Sequence, residues 1–272
     1  MRTRTGIVLS FFGVVLAGAA VPAQAQYGAQ SANRATGENY HVEVTGALWN
    51  PAPNILITSE SIEGILGTPI DFVEDLGVEQ NWFTQLRVVA RAATKHKFRF
   101  EYTPIRYDAE TRLTRDVIFN GIRFPLTLDV ATEVKWNAYR FGYEWDFVYR
   151  DRGFVGLLLE LKYTDVRASL QNVIDTEFIH ARAPIPAVGV IGRGYVAPNI
   201  SITGEFSFFN VPNIDEDYNG SYFDFDLYGT VNFNDNVGVQ GGYRSFDVFY
   251  KIENDEGDLT MKGLYFGGVV RF

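Results

Sequence analysis

Residues 138–147 read AYRFGYEWDF, and their alternation decides the fold class. Every second position is aromatic, and the positions between are charged or glycine: Tyr139, Phe141, Tyr143, Trp145 and Phe147 against Arg140, Gly142, Glu144 and Asp146. Because side chains two residues apart share one face of a strand, this stretch has an aromatic face and a charged face. The pattern predicts a β-strand whose apolar side is as continuous as a lipid-facing surface.

The same alternation recurs along most of the chain. We predict ten strands, at 39–50, 81–94, 97–112, 131–148, 153–170, 184–197, 200–211, 221–234, 236–252 and 260–272. The connections are short at 94–97, 149–152, 197–199 and 234–236, and long at 51–80, 113–130, 171–183, 210–221 and 253–259. Short turns at one end and long loops at the other are typical of outer-membrane barrels. We therefore predict an all-β, transmembrane antiparallel up-and-down β-barrel of about ten strands.

Two alternatives bear on this prediction. A further hairpin at 54–59 and 68–74 would give twelve strands, and eight to twelve are compatible with the pattern. A soluble β-sandwich also alternates, but its apolar faces need not match a bilayer. Here the apolar faces approach the 9–11 residues that a tilted membrane strand requires. The polar faces also carry small residues, as a narrow lumen requires: Gly142, Gly156, Gly189, Gly238, Gly242, Gly263 and Gly267.

Composition narrows the class further. The 272 residues are 15% aromatic, contain no cysteine and carry a formal net charge of −9. A chain without cysteine has no disulfides, thiol catalysis or thiolate metal sites. The acidic balance argues against a nucleic-acid partner, because such proteins carry basic stripes.

The amino-terminal region has the features of an export signal. Arg2 and Arg4 precede the apolar run 6–18, and small residues surround Gln24. The run is shorter than the roughly 20 residues of a membrane-spanning helix. We expect a signal peptide over 1–25 that is cleaved after Ala25, a loose lead-in over 26–38, and an outer-membrane barrel over 39–272.

The carboxyl terminus resembles the β-signal of Gram-negative outer-membrane barrels. Its pattern is met by Tyr265, Gly267, Val270 and Phe272. Further stretches resemble small outer-membrane barrels of the OmpA-, OmpX- and OmpW-like grouping: 71–77 (DFVEDLG), 115–119 (RDVIF), 183–187 (APIPA) and the hairpin 237–272. This resemblance implies a fold, a location in the bacterial outer membrane and recognition by the barrel-assembly machinery. It carries no assigned activity.

Strand parity predicts which charges face the lumen. The inward cations are Arg87, Arg91, Arg99, Arg140, Lys162, Arg193, Arg244 and Arg271; the inward anions are Glu43, Glu101, Glu144, Asp146, Glu160, Glu205, Asp224 and Asp226. Equal numbers of each sign in a narrow barrel favour an ion-pair network that seals the lumen. The inward apolar residues of the clean strands are Val89, Leu158, Ile191 and Val269. In strand 236–252, Phe246 shares its face with Arg244, and we expect a bulge or an exit from the bilayer there.

No motif in the chain indicates catalysis. Outer-membrane hydrolases need a histidine paired with a carboxylate or serine, and only His180 with Asp175 or Glu177 could be assigned that role. Acidic residues concentrate in the long loops, but 253–258 lacks the spacing of a calcium loop. We expect no catalytic, cofactor or metal site.

The function predicted from sequence is a sealed structural or surface-interaction barrel. We expect a monomer in contact with outer-membrane lipid and lipopolysaccharide. A small passive or gated pore and an outer-membrane hydrolase remain alternatives.

Overall fold

The computed structural model describes residues 35–58, 68–119, 122–126, 129–171, 176–215, 218–252 and 255–272. The strands within these ranges are β1 (Val42–Thr58), β2 (Ile70–Asp71), β3 (Phe83–Ala93), β4 (His96–Arg112), β5 (Val117–Phe119), β6 (Ile122–Phe124), β7 (Asp129–Arg150), β8 (Gly153–Gln171), β9 (Thr176–Ala197), β10 (Ile200–Asp215), β11 (Tyr218–Asn232), β12 (Val237–Ile252) and β13 (Asp255–Arg271). In this described part of the chain, no helix is long and apolar enough to cross a membrane.

Ten of these strands form one closed antiparallel sheet, which confirms the predicted barrel. The order around the barrel is β1, β3, β4, β7, β8, β9, β10, β11, β12 and β13, and β13 pairs with β1 to close it. The two-residue β2 pairs with the outer part of β1, and β5 pairs with β6 in a separate hairpin. The predicted extra hairpin at 54–59 and 68–74 therefore adds no strands to the barrel wall.

The two ends of the barrel differ. The turn end carries the short connections between β3 and β4, β7 and β8, β9 and β10, and β11 and β12. The start of β1 meets the end of β13 there, where the amide of Val42 donates to the carbonyl of Phe272 over 3.1 Å. The opposite rim is the loop end.

Burial along the wall is the reverse of that in a water-soluble protein. On β8, Leu159 and Leu161 are 57% and 47% exposed on the outside, whereas Glu160 and Lys162 are 6% and 5% exposed inside. A soluble sandwich would bury the leucines and hydrate the charges. Only a lipid surround makes this arrangement favourable, so the exposed apolar belt is the membrane face.

The loop-end halves of several strands return to the arrangement of a soluble protein. On β7, the charged Arg140 is buried and the apolar Phe141 is exposed. Nearer the loop end the reverse holds, since the apolar Trp136 is buried and the charged Lys135 points outward. Between these two pairs the inner face changes from charged to apolar and the outer face from apolar to charged, because the strand leaves the hydrocarbon and enters water. At this level Tyr102, Tyr139 and Tyr163 are cross-strand partners on the outer face. Tyrosine concentrates at membrane–water interfaces, so this tyrosine row marks the loop-end boundary of the bilayer.

This reversal explains two corrections to the predicted boundaries. Most of the expected long loops are partly strand, since β1 continues to Thr58, β9 begins at Thr176 and β13 begins at Asp255. Of the two explanations expected for Phe246, a bulge or an exit from the bilayer, the bulge is absent, because β12 pairs with β13 in one continuous register. Phe246 faces inward on the same side as Arg244, beyond the membrane level. At bilayer depth apolar residues mostly face lipid, and outside the bilayer that rule no longer applies.

One seam of the wall is only partly paired. Within the described residues, the pairing of β9 with β10 ends at Val188 and Phe208, although both strands continue. Pro184 and Pro186 lie on β9 beyond this point, and proline has no amide hydrogen to donate. Ile185 of β9 packs against the apolar residues inside the barrel.

The close approach of β13 to β1 requires a glycine at the closing seam. A Cβ atom on Gly267 would lie 2.3 Å from the carbonyl oxygen of Gly46 and 2.7 Å from the Cα of Ala47. A Cβ atom on the adjacent Gly268 meets no atom within 4 Å. Of the other residues in the terminal signal, Tyr265 is buried inside, and Val270 and Phe272 face the membrane.

We expect Gly267→Ala to weaken barrel closure and Gly268→Ala to be tolerated. Overpacking a tight backbone contact costs about 1–3 kcal/mol, whereas the added methyl at position 268 points into lipid. Thermal unfolding, followed by the gel shift between unboiled and boiled samples, measures the difference. Equal melting temperatures for the two variants would contradict the close approach at Gly267.

Candidate functional site: the filled lumen

The lumen contains three successive layers of side chains. A layer of paired charges occupies the membrane level, an apolar cluster fills the loop end, and a segment preceding β1 occupies the turn end. Together these layers determine whether a solute can pass through the lumen.

Glu205 is one centre of the charged layer. Its carboxylate lies 2.5 Å from the guanidinium of Arg99, 3.2 Å from Arg140 and 3.6 Å from Arg87. The hydroxyl of Tyr228 donates to the same carboxylate over 3.0 Å. These four partners come from four different strands, and Glu205 itself lies on a fifth, so a single buried anion ties much of the wall together.

Asp224 and Glu101 form a second centre. Asp224 pairs with Lys162 at 2.7 Å and with Arg244 at 3.0 Å. Arg244 also pairs with Glu101, which lies 3.1 Å from Arg87. Since Arg87 contacts Glu205 as well, the two centres form one continuous network across the lumen.

Lys97 belongs to this network, although the sequence pattern placed it in a turn. It lies near the start of β4 and is 1% exposed. Its ammonium lies 2.6 Å from Glu144 and 2.9 Å from Asp146, and Glu144 also pairs with Arg99 at 2.6 Å. Turn boundaries inferred from alternation are uncertain by a few residues, which is why this inward cation was missed.

The structure places all the residues of the predicted network on the lumen side of the wall. Two further members of the network are Glu160, which pairs with Arg140, and Asp226, which pairs with Arg87. Asp226 also accepts a hydrogen bond of 2.8 Å from the hydroxyl of Tyr265. Arg91 and Arg193 lie nearer the turn end. Glu43 and Arg271 pair with each other there at 2.5 Å.

The segment 35–38 closes the turn end, where a loose lead-in was expected. Glu38 pairs with Arg91 at 3.0 Å and with Arg193 at 2.9 Å, and it accepts a hydrogen bond from Tyr195. Burial by itself would raise the pKa of Glu38, but Arg193, Lys97 and Arg91 lower it to about 2. The carboxylate is therefore ionised, and held by two cations, at any pH near neutrality.

The backbone of this segment is also held. The amide of Gly37 donates to Asp235 over 2.8 Å, and the carbonyl of Thr36 accepts from Asn232 over 2.7 Å. The amide of Thr36 donates to the carbonyl of Pro198. Residues 1–34 lie outside the described residues, so the predicted signal peptide and its cleavage site stay predictions.

An apolar cluster fills the loop end of the lumen. Strand residues such as Trp49, Trp136 and Phe246 form its floor, with ring centroids 5.7 Å apart for Trp49 and Phe246 and 5.2 Å for Trp136 and Phe246. Parts of two connections cover it, 68–78 together with 113–119 and 122–124, and we call these the cap. Their fully buried side chains are Ile70, Phe72, Leu76, Val117, Phe119 and Phe124. The sequence pattern had assigned few inward apolar residues, because it considered only the bilayer level.

Polar contacts join the two parts of the cap. Arg115 pairs with Asp75 at 2.5 Å and donates to the carbonyl of Pro69. The amide of Ile118 donates to the hydroxyl of Thr68 over 2.9 Å. The hydrogen bond from Arg115 keeps the pKa of Asp75 below its ordinary value. Asp75 and Arg115 belong to the two stretches, 71–77 and 115–119, whose resemblance to small outer-membrane barrels was noted from the sequence.

The histidines lie outside the lumen. His180 contacts Asp165 at 2.8 Å on the outer face of β8 and β9. Asp175 lies outside the described residues, and the side chain of Glu177 is not described. His96 lies within 2.6 Å of the hydroxyl of Tyr143 at the turn end. Within the described residues, no group of three potential metal ligands is brought together.

Solved structures with a similar fold are bacterial outer-membrane barrels. The outer membrane protease OmpT from Escherichia coli matches with a TM-score of 0.57 and 10% identity, over 88% of this chain and 98% of OmpT. The Ail protein of Yersinia pestis matches with a TM-score of 0.38 and 6% identity, over 84% and 99% of the two chains. No family model matches the sequence, and no curated protein does. The first match shows a shared barrel fold; the second is too distant to support an argument. Membership of the OmpA-, OmpX- and OmpW-like grouping stays a prediction.

We expect Glu205→Gln to destabilise the barrel strongly. It would leave Arg87, Arg99 and Arg140 without their shared anion, and breaking a buried pair costs about 3–5 kcal/mol. Asp129→Asn is the control, because the ion pair of Asp129 with Arg112 is exposed and such pairs contribute about 0–1 kcal/mol. Reversible denaturant unfolding in lipid vesicles gives both free energies. A small effect at Glu205, similar to that at Asp129, would show that the network does not hold the wall together.

Proposed function

We propose that the protein is a sealed, non-conducting barrel of the bacterial outer membrane that acts as a structural or surface-interaction protein. The observation that carries the proposal is the burial of charge inside it. Lys97, Glu144, Glu205 and Asp226 are each no more than 2% exposed. Side chains that line a water-filled pore keep their hydration, whereas these have exchanged water for one another.

The opposite ends of the lumen support the same proposal. The cap covers the loop end with apolar side chains, which offer a dissolved ion no coordination. Glu38 and its cations obstruct the turn end. A solute would have to break ion pairs, displace the cap and detach the segment 35–38.

Two alternatives are weaker. A passive or gated pore would need a hydrated path along one wall, whereas Ile185, beside the partly paired seam, packs against the apolar cluster. A hydrolase would need its histidine beside a reachable site. The ring of His180 instead contacts Asp165 on the outer wall, which Arg182 also contacts at 3.0 Å. We therefore propose that the protein is not an enzyme.

The route of assembly is part of the proposal. It comprises an export signal over 1–25 that is cleaved after Ala25, and a terminal strand that ends in Phe272. That strand would be read by the barrel-assembly machinery, and the monomer is a complete closed barrel without a second copy.

We expect no steady ion conductance from the purified protein in planar lipid bilayers. In the part of the chain that the structure describes, the buried network and the cap fill the lumen that ions would have to cross. An open-channel porin reconstituted in the same way is the positive control. A stable open channel of nanosiemens size in the unmodified protein would overturn the sealed lumen.

We also expect no hydrolysis. Incubation of the folded barrel with lipopolysaccharide and with a mixture of peptides should leave the masses of both unchanged, as mass spectrometry measures directly. Product formation that disappears in His180→Ala would instead place the protein among outer-membrane hydrolases.

A further inference from the structure

The outer wall of β4, β7, β8 and β9 carries a band of cations just beyond the tyrosine row. Following the strand pairing, Arg106 lies opposite Lys135, Lys135 opposite Arg167, and Arg167 opposite His180. Arg182 is two residues from His180, on the same face of β9. We call these five residues the cationic band. In a chain with a net charge of −9, four adjacent strands thus present basic side chains within a narrow belt of the outer wall.

We infer that the cationic band binds the phosphate groups of lipids in the outer leaflet of the outer membrane. The inference rests on the proposed membrane location, but not on whether the lumen conducts.

The height of the band fits the headgroup region. Arg106 is four residues beyond Tyr102, which is about 13 Å along a strand and about 10 Å along the membrane normal at the usual tilt. Arg182 is two residues beyond Pro184, which pairs with Tyr163 of the tyrosine row. It therefore lies about half as far out. Long basic side chains reach from such positions to lipid phosphates while their stems lie along the wall.

The cations are accessible from the lipid side. The side chains of Arg106 and Arg182 are each 58% exposed, and that of Lys135 is 45% exposed. Their faces continue the membrane belt, since the same faces of β4 and β8 carry Phe98 and Leu159 farther down. A ligand at this place therefore approaches from the outer leaflet.

Neighbouring carboxylates orient the cations but do not cancel them. Arg106 pairs with Asp108 at 2.9 Å and with Glu133 at 2.6 Å, and Lys135 pairs with Glu133 at 2.7 Å. Asp165 pairs with Arg182 and contacts His180. Asp108 and Glu133 lie two residues farther toward the loop end than Arg106 and Lys135, so these two cations are nearer the bilayer than the carboxylates that pair with them. A guanidinium held on one edge by a carboxylate can still donate from its other edge to a phosphate.

The test is a binding titration of the folded barrel in uncharged detergent. The probes are lipid A carrying two phosphates, the same lipid A with its phosphates removed, and inorganic phosphate. The variant is Arg106→Gln with Lys135→Gln and Arg167→Gln. The control loses the same charge elsewhere, through Lys251→Gln, Lys262→Gln and Arg150→Gln, and the gel shift on boiling verifies that both variants fold.

We expect the unmodified barrel and the control to prefer phosphorylated lipid A by about tenfold, and the band variant to lose that preference. Added salt should weaken the preference, because it is electrostatic. Three results would overturn the inference. The unmodified barrel could bind the two lipids equally, the band variant could keep the preference, or the control could lose the preference as fully as the band variant. Displacement of lipid A by inorganic phosphate at equal concentration would also overturn it, since the site would then take free phosphate. If the barrel conducts ions but binds lipid A as expected, only the proposal of a sealed lumen is refuted.

Discussion

The hydrocarbon of a bilayer offers no hydrogen-bonding partner, and the rest of this structure depends on that constraint. Every backbone amide at that depth must pair with another strand, so the sheet closes through β13 and β1. Every charge at that depth must face inward and find an opposite charge. The network around Glu205 and Asp224 meets this demand within a lumen too narrow to hydrate it.

Above the membrane the constraint disappears, and the same strands follow the rules of a soluble protein. The lumen there is filled by aromatic side chains such as Trp136 and Phe246, and the outside carries charge. The cap completes this second core as loops complete the core of a soluble barrel. The molecule is therefore one continuous sheet with two interiors, one ionic and one apolar, separated at the level of the tyrosine row.

The sequence alone predicts the part of the fold that the bilayer governs. Alternation at 138–147 and its repeats give the strand number, the closed barrel and the inward position of residues such as Arg140 and Glu144. It fails where the solvent changes. At Phe246 alternation did not distinguish a bulge from an exit from the bilayer, and it assigned the loop-end strand extensions to loops. Glu38 could not be found by periodicity, because it lies outside every strand and reaches its partners only through the closed fold. The cationic band was equally hidden, since its members lie far apart along the chain and only the strand register aligns them.

The tyrosine row and the charged lumen also detect different errors of strand alignment. If β7 slipped by one residue against its neighbours, Arg140 would turn toward lipid and lose its partners, so the lumen rejects odd slips. A slip of two residues keeps every side chain on its proper face, and the pattern of inside and outside would not reveal it. It would move Tyr139 away from Tyr102 and Tyr163 by about 7 Å along the strand, and carry Lys135 toward the hydrocarbon. The membrane boundary therefore disfavours slips that the alternation of faces alone does not detect, and it adds to the cost of separating Arg140 from Glu160 and Glu205.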